Sequence, residues 1–512
     1  MANLGLLLPA NSDSSAMSSR RRFIRTSLTA GAALWLTPEA VLADPYRLAT
    51  GLRSGAGPVR IRGEVMADGR PLAGVAVSDG LDVTTTGSDG GYELISTDRQ
   101  RFVFVSVPSG HQVPQTGNGI AAFYEPIRFG EDRTMRADFR LRSGQDDSNH
   151  AFLAVGDTQT QTDFEMDRFH AESVPDLART VSGLGERAAF GIAVGDIMFD
   201  DLSLFPRYEE GVRQIGVPFF QAVGNHDLDR DAGTDPDSIK TFERRFGPPY
   251  YSFDRGDVHY VVLDDVFWHA SGYIGHLDAD QIAWLGRDLA LVEDGRTVVV
   301  FLHIPGYSRQ HERRGERQPS PSVALTNREL LYRMLAPFNA HLISGHTHEN
   351  EHVFEGGVHE HVLGTTCGAW WTDQICHDGT PNGYGVYEVS GSEVKWRYKS
   401  TDLPSSAQMR LYAAGTDPEN PRELLANVWD WEPGWDVVWM EDGVQRGALE
   451  SRLGMDPIAV ARFEGADAPS HRTWVQPQLT EHMLRADVGD ATGSVVVQAT
   501  DRFGRVYSSQ LS

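Results

Sequence analysis

AFLAVGDTQTQ, residues 151–161, is an apolar run that ends in a carboxylate: five residues without a polar side chain, then Gly156, then Asp157. An uninterrupted apolar run of this length is the pattern of a strand buried on both faces. The same punctuation recurs down the chain. AFGIAV (189–194) is followed by Gly195-Asp196, and VPFFQAV (217–223) by Gly224-Asn225-His226-Asp227. VVVFLH (298–303) closes on His303, and AHLIS (340–344) leads into Gly345-His346-Thr347-His348. Helical patterns such as DADQIAWLGRDLALVED (278–294) lie between these runs. Buried strands alternating with helices predict an α/β architecture whose strand ends converge on one crevice.

Taken singly, each strand end has an ordinary reading. A Gly-Asp pair after a strand is commonly a turn or a helix cap, and an isolated histidine is commonly a satisfied core residue. Histidines two apart, as in Gly345-His346-Thr347-His348, face opposite ways in extended backbone and need special geometry to converge. Five such ends in succession point elsewhere. Carboxylates and imidazoles gathered in an apolar-walled crevice are costly unless cations occupy it, so metal binding is the economical reading.

In this order, Asp157, Gly195-Asp196, Gly224-Asn225-His226-Asp227, His303 and Gly345-His346-Thr347-His348 resemble the calcineurin-like metallophosphoesterase family over residues 150–400. The resemblance implies a four-layer α/β core with helices outside a β-sandwich. It implies two metal ions of Mn, Fe or Zn type, with Asp196 bridging them. Asp157 and His348 would complete the first site, and Asn225, His303 and His346 the second. Two ions about 3.5–4 Å apart polarise a phosphoryl group and hold a bridging hydroxide as nucleophile, with His226 as general acid and Asp227 orienting it. Two positions depart from the family pattern. Gln159 stands where a histidine is usual, offering a weaker, harder metal ligand or a hold on a bound water. The second motif carries its later acid at Asp200, one residue beyond the usual place.

The loop GTTCGAWWTDQICHDGTPNGY (364–384) follows the last histidines. Its Trp370 and Trp371 are expected either to stack on a substrate base, sugar or cationic head group or to plug a junction between domains. In FGPPYYSFDRG, Tyr250 and Tyr251 are expected to shape the mouth. Phosphate monoester and diester are both open, so the substrate class is a small phosphate ester or an envelope-derived phosphodiester. The class rival is a non-catalytic exported binding protein with a decayed site, for which Gln159 is the one supporting feature.

At 512 residues the chain exceeds one hydrophobic core. Residues 58–142 and 404–512 show short alternating strands with Gly and Asp turns, so two β-sandwiches are expected to flank a central unit at 149–403. Such accessory domains resemble those of an exported bacterial subgroup of the same family. Ser19-Arg20-Arg21-Arg22-Phe23-Ile24 and the apolar stretch after it resemble a twin-arginine export signal, cleaved after Ala43. That reading makes the export machinery a partner and the location periplasmic. Pro38 and Glu39 interrupt the segment short of the roughly 20 apolar residues that a membrane span needs. A net charge of −25 argues against nucleic-acid polymers. Cys367 and Cys376 are close enough in sequence to pair, or to stay reduced in one loop.

Overall fold

The computed structural model describes residues 57–511 except 467 and 490; the export segment expected at 1–43 lies outside them. The central unit is two sheets face to face. One has the strand order Phe219–Ala222, Ala188–Val194, Asn149–Val155, Gly383–Ser390, Glu393–Ser400. Its first three strands run parallel and its last two antiparallel. The other runs Tyr251–Arg255, Val258–Val262, Thr297–Phe301, Asn339–Ser344, Val358–Val362, Glu351–Glu355.

Period-two alternation explains why AFLAV is apolar throughout. Phe152 and Ala154 point between the sheets, and Leu153 and Val155 point to the helix-covered face. Between the sheets aromatic rings interlock: Phe152 stacks on Tyr387 at 4.5 Å and Phe220 on Phe253 at 4.1 Å. Such pairs add about 0.5–1.5 kcal/mol each beyond their buried area. Helices Val174–Gly183 and Phe205–Ile215 cover the first sheet with Leu177, Phe205, Val212 and Ile215. Ala279–Leu289 and Arg328–Leu335 cover the second with Trp284, Leu285, Leu331 and Leu335. The first of these begins where the 278–294 pattern predicts, with Asp278 accepting from the Gln281 N–H as its cap. The result is the four-layer core with sheet domains at both ends.

The N-terminal domain is a pair of small sheets built on Val59–Ala67 and Phe102–Val105. It docks on the core through bridges Val107–Phe253 and Ile120–Phe219, with the Phe123 ring 4.5 Å from Tyr251. The C-terminal domain packs two four-stranded sheets around Leu424, Val428, Val437, Val497 and Ala499. Its Arg472 pairs with Glu165 at 2.7 Å, and its His482 meets Asp378 at 3.0 Å. Among the described residues no helix is long and apolar enough to cross a membrane.

Candidate metal centre

The parallel strands stop at one edge, and the predicted donors meet there. Their backbone is unusual. Asp157, Gln159, Asp196, Asp200, His346, His348, Trp370 and Trp371 all have φ between 40° and 70°. For residues with a Cβ this left-handed region costs on the order of 1 kcal/mol each. It is also what turns His346 and His348 toward one centre despite their spacing of two. The loops are held by cross-strand backbone bonds: Gln159 N–H to Asp196 C=O at 2.9 Å, Cys367 N–H to Asp157 C=O at 3.2 Å, Thr366 N–H to Gly156 C=O at 2.9 Å. Gly224 packs so closely on Asp196 that a Cβ would lie 1.8 Å from the Asp196 nitrogen, which is why only glycine fits.

The protons define the site. His303 Nδ1 lies 2.9 Å from the Val194 carbonyl, and His346 Nε2 lies 2.8 Å from the Ser322 carbonyl. A carbonyl only accepts, so both nitrogens carry hydrogen. The opposite nitrogens, His303 Nε2 and His346 Nδ1, then present lone pairs to each other at 3.1 Å. Asn225 Oδ1 is 3.1 Å from His303 Nε2, and Asp196 Oδ1 is 3.3 Å from it. With both imidazoles neutral, four acceptors converge, three of them buried and His346 partly so, and a cation is what such a set fits. Without a cation, a proton takes its place. Burial alone would lower the His303 pKa, yet the Asp196 charge beside it pushes it up to about 10. Burial opposes charge on Asp196 too, but the surrounding imidazoles hold it far below the usual carboxylate range. Burial, then the neighbouring His303 charge, lower His346 to about 4.

Asp157 and His348 form the adjoining pair, with Asp157 Oδ1 3.3 Å from His348 Nε2. Asp157 also accepts from the His346 backbone N–H at 3.0 Å, which joins the two halves. The donors are imidazole, carboxylate and amide, a set suited to Mn, Fe or Zn.

Several expected roles change. Gln159 donates its amide N–H to Asp196 Oδ2 at 2.6 Å, so it steadies that acid instead of offering an oxygen to a metal. Asp227 does not touch the His226 ring. It accepts from the backbone N–H groups of Ile197, Met198 and Gly224, and clamps two loops together. Burial and the Asp196 charge raise its pKa to about 7. The partner of His226 is Asp200, whose Oδ1 is 2.7 Å from His226 Nδ1. Arg230 in turn sits 2.8 Å from Asp200, and the imidazole stacks on Phe199 at 4.3 Å. Burial disfavours the imidazolium, but Asp196 and Asp200 outweigh it, and the His226 pKa is raised.

Tyr250 and Tyr251 are not at the mouth. Tyr251 is buried against Phe123 and donates to the Gln221 carbonyl, and Tyr250 donates to the Gly80 carbonyl; both belong to the N-terminal docking surface. Trp370 and Trp371 are at the site, as braces. Trp370 stacks on the His348 ring at 4.0 Å and is backed by Trp474 of the C-terminal domain at 4.5 Å. Trp371 donates its indole N–H to the Thr158 carbonyl at 2.9 Å. Cys367 and Cys376 are both free and buried. Asp265, at the end of VHYVVLDD, accepts the backbone N–H groups of His303 and Ile304. It is a further strand-end acid, legible by the same signal as Asp157.

Residues 150–350 match the family described as calcineurin-like phosphoesterase, 59–144 match its N-terminal companion domain, and 360–507 its C-terminal one. The chain belongs to the calcineurin-like phosphoesterases, with both companion domains. Among individual proteins, it is similar to the human serine/threonine-protein phosphatase CPPED1, at 26% identity over 36% of this chain and 57% of that protein. The Danio rerio counterpart matches at 30% over 38% of this chain and 60% of that protein. The chain thus spans less than two thirds of the length of these relatives. A solved purple acid phosphatase from yellow lupin seeds (Lupinus luteus) matches at 12% identity over 67% of each chain, with a TM-score of 0.37.

Proposed function

We propose that this chain hydrolyses phosphate esters at the crevice around Asp196. The observation that carries the reading is the convergence of His303 Nε2, His346 Nδ1, Asn225 Oδ1 and Asp196 Oδ1, acceptors once both imidazoles are neutral, three of them buried and His346 partly so. Two cations held there, by these four and by Asp157 with His348, supply Lewis-acid polarisation of the ester and of the attacking water. The protein residues do the rest. Asp196 and Asp157 set the crevice charge, and the Val194 and Ser322 carbonyls fix which imidazole nitrogens face inward. Gln159 holds Asp196 in place.

His226 is the proton donor to the leaving oxygen. Its Nδ1 is committed to Asp200, so Nε2 is the nitrogen left to face a substrate, and the ring is partly open, 19% exposed. Asp200 and Asp196 favour the imidazolium, which is the form an acid needs. Arg230 beside Asp200 adds positive charge at the rim. The substrate is a small phosphate ester, monoester or diester. An exported, periplasmic enzyme is the natural setting for it, a reading supported by the twin-arginine-type segment at 19–36.

The test is hydrolysis of p-nitrophenyl phosphate and bis-p-nitrophenyl phosphate by protein purified without chelators, before and after chelation. Chelator-sensitive turnover of either ester is expected, restored by Mn or Zn. Loaded protein that turns over neither ester, nor any small phosphate ester in a panel, would sink the reading. Fractionation of expressing cells tests export: recovery of the full-length chain in the cytoplasm alone removes that part.

A further inference from the structure

A second histidine cluster lies in the same six-stranded sheet, away from the crevice. His341, His352, His359 and His361 come from three adjacent strands, Asn339–Ser344, Glu351–Glu355 and Val358–Val362. The register sets His341 opposite His359 and His352 opposite His361, so the four imidazoles share one face. All are buried. His352 Nε2 is 3.0 Å from Asp430 Oδ1 of the C-terminal domain, which fixes the hydrogen on that nitrogen. A neutral His352 therefore turns the lone pair of Nδ1 inward, 3.1 Å from His359 Nε2. Glu432, also from the C-terminal domain and 1% exposed, brings its Oε2 to 3.9 Å from His359 Nε2. That oxygen has no hydrogen-bond partner, and the other, Oε1, faces Arg502 Nε at 3.1 Å.

We infer that His352, His359 and Glu432 form a second metal site, for one zinc-class divalent ion, that fastens the C-terminal domain to the catalytic sheet. The three donor atoms lie within 4.8 Å of one another. A tetrahedral zinc shell needs ligand atoms about 3.3–3.5 Å apart, and the separations of 3.1 and 3.9 Å bracket that spacing. The Asp430–His352 contact is the carboxylate–histidine arrangement that orients ligating imidazoles in metal sites. The charge count is favourable. Asp430 and Glu432 against Arg502 leave one net negative charge, which a divalent cation reverses only to one positive. An unpaired buried carboxylate oxygen is costly without a positive partner. The rival occupant is a proton on His352, shared between Asp430 and His359.

Metal content of the full chain, purified without chelators and measured by mass spectrometry, separates the two. Glu432→Gln and His359→Gln are each expected to carry one ion fewer than wild type while keeping phosphoesterase turnover within twofold. His346→Ala, which empties part of the crevice, is expected to retain this ion. Stripped protein titrated with Co²⁺ is expected to show tetrahedral ligand-field bands that survive His346→Ala and vanish in Glu432→Gln. Equal metal counts in wild type, Glu432→Gln and His359→Gln overturn the site, whatever the crevice holds. If His359→Gln does not fold, the near-isosteric Glu432→Gln decides alone. Absence of turnover in the loaded wild type, with this difference in metal content intact, would count against the phosphoesterase reading and leave the site standing.

Discussion

Two of the buried clusters of histidine and carboxylate, at His259 and at His303, differ in what their remote nitrogens face. At His259 both ring nitrogens face acids, Asp254 at 3.0 Å and Asp288 at 2.9 Å. Burial would lower its pKa, but the two carboxylates raise it to about 10, and the imidazolium is satisfied by protein alone. At His303 and His346 the outer nitrogens are spent on carbonyls, and the inner ones face each other at a place that either a proton or a cation can fill. Both clusters raise a histidine pKa to about 10. Only the hydrogen-bond partners of the remote nitrogens distinguish an internal ion pair from a site that awaits a cation.

The contrast breaks most sharply if the two clusters are cut separately. Asp196→Asn is expected to reduce kcat/KM by at least ~10³-fold, about 4 kcal/mol of transition-state stabilisation, with little change in melting temperature. His259→Asn is expected to do the reverse. Turnover stays within about twofold, and stability falls by about 3 kcal/mol as the buried Asp288 loses its charged partner, read by urea unfolding. Exchanged phenotypes would refute the distinction.

Next in size is His226→Ala, with an expected loss of about 10²–10⁴-fold in kcat and unchanged metal content. Asp200→Asn should cost less, about tenfold, and Asp227→Asn should act on folding stability more than on kcat. An Asp227 variant that cripples kcat while leaving stability intact would restore Asp227 as the orienting acid.

The pH dependence separates the clusters again. His259 has a folded pKa raised to about 10 from an ordinary value of about 6.5. Its contribution to stability is therefore complete below about pH 6.5 and is lost as pH rises toward 10. The stability difference between wild type and His259→Asn should shrink across that window, and a difference that grows there would contradict the ion pair. A smaller effect is expected at Gln159: Gln159→Ala should weaken crevice metal affinity about 10–100-fold. The least is expected at Trp474, where Trp474→Ala removes one edge contact on Trp370, about 0.5–1.5 kcal/mol, with a modest rise in KM.

The five strand ends were legible because parallel, doubly buried strands leave unbroken apolar runs, and the residue after each run is fixed in space by the sheet. Asp200 and Asp227 could not be sorted from sequence. Asp227 is next to His226 in sequence while Asp200 is 26 residues away, and the left-handed turn at Asp200, φ 68°, is what carries its carboxylate to the ring. Tyr250 and Tyr251 were misplaced because their neighbours, Gly80 and Phe123, lie more than a hundred residues away in another domain. Separation along the chain, 104 residues from Trp370 and 73 from His359, likewise hid Trp474 and Glu432. Contacts made by docking of whole domains leave no local periodicity to read.

The positive φ angles at the strand ends limit how this centre can be moved. Copying its six donor side chains onto another sheet would not transplant it, because four of them, Asp157, Asp196, His346 and His348, would emerge from ordinary extended backbone pointing elsewhere. A graft would have to bring the bracing loops too, with the Thr158–Trp371 clamp and the glycine that makes room for Asp196. Conversely, replacing a donor at positive φ, such as His348, by glycine in this scaffold should relax the backbone and raise stability even as it abolishes binding. The portable unit is the strained turn with its supports, and the ligands are its passengers.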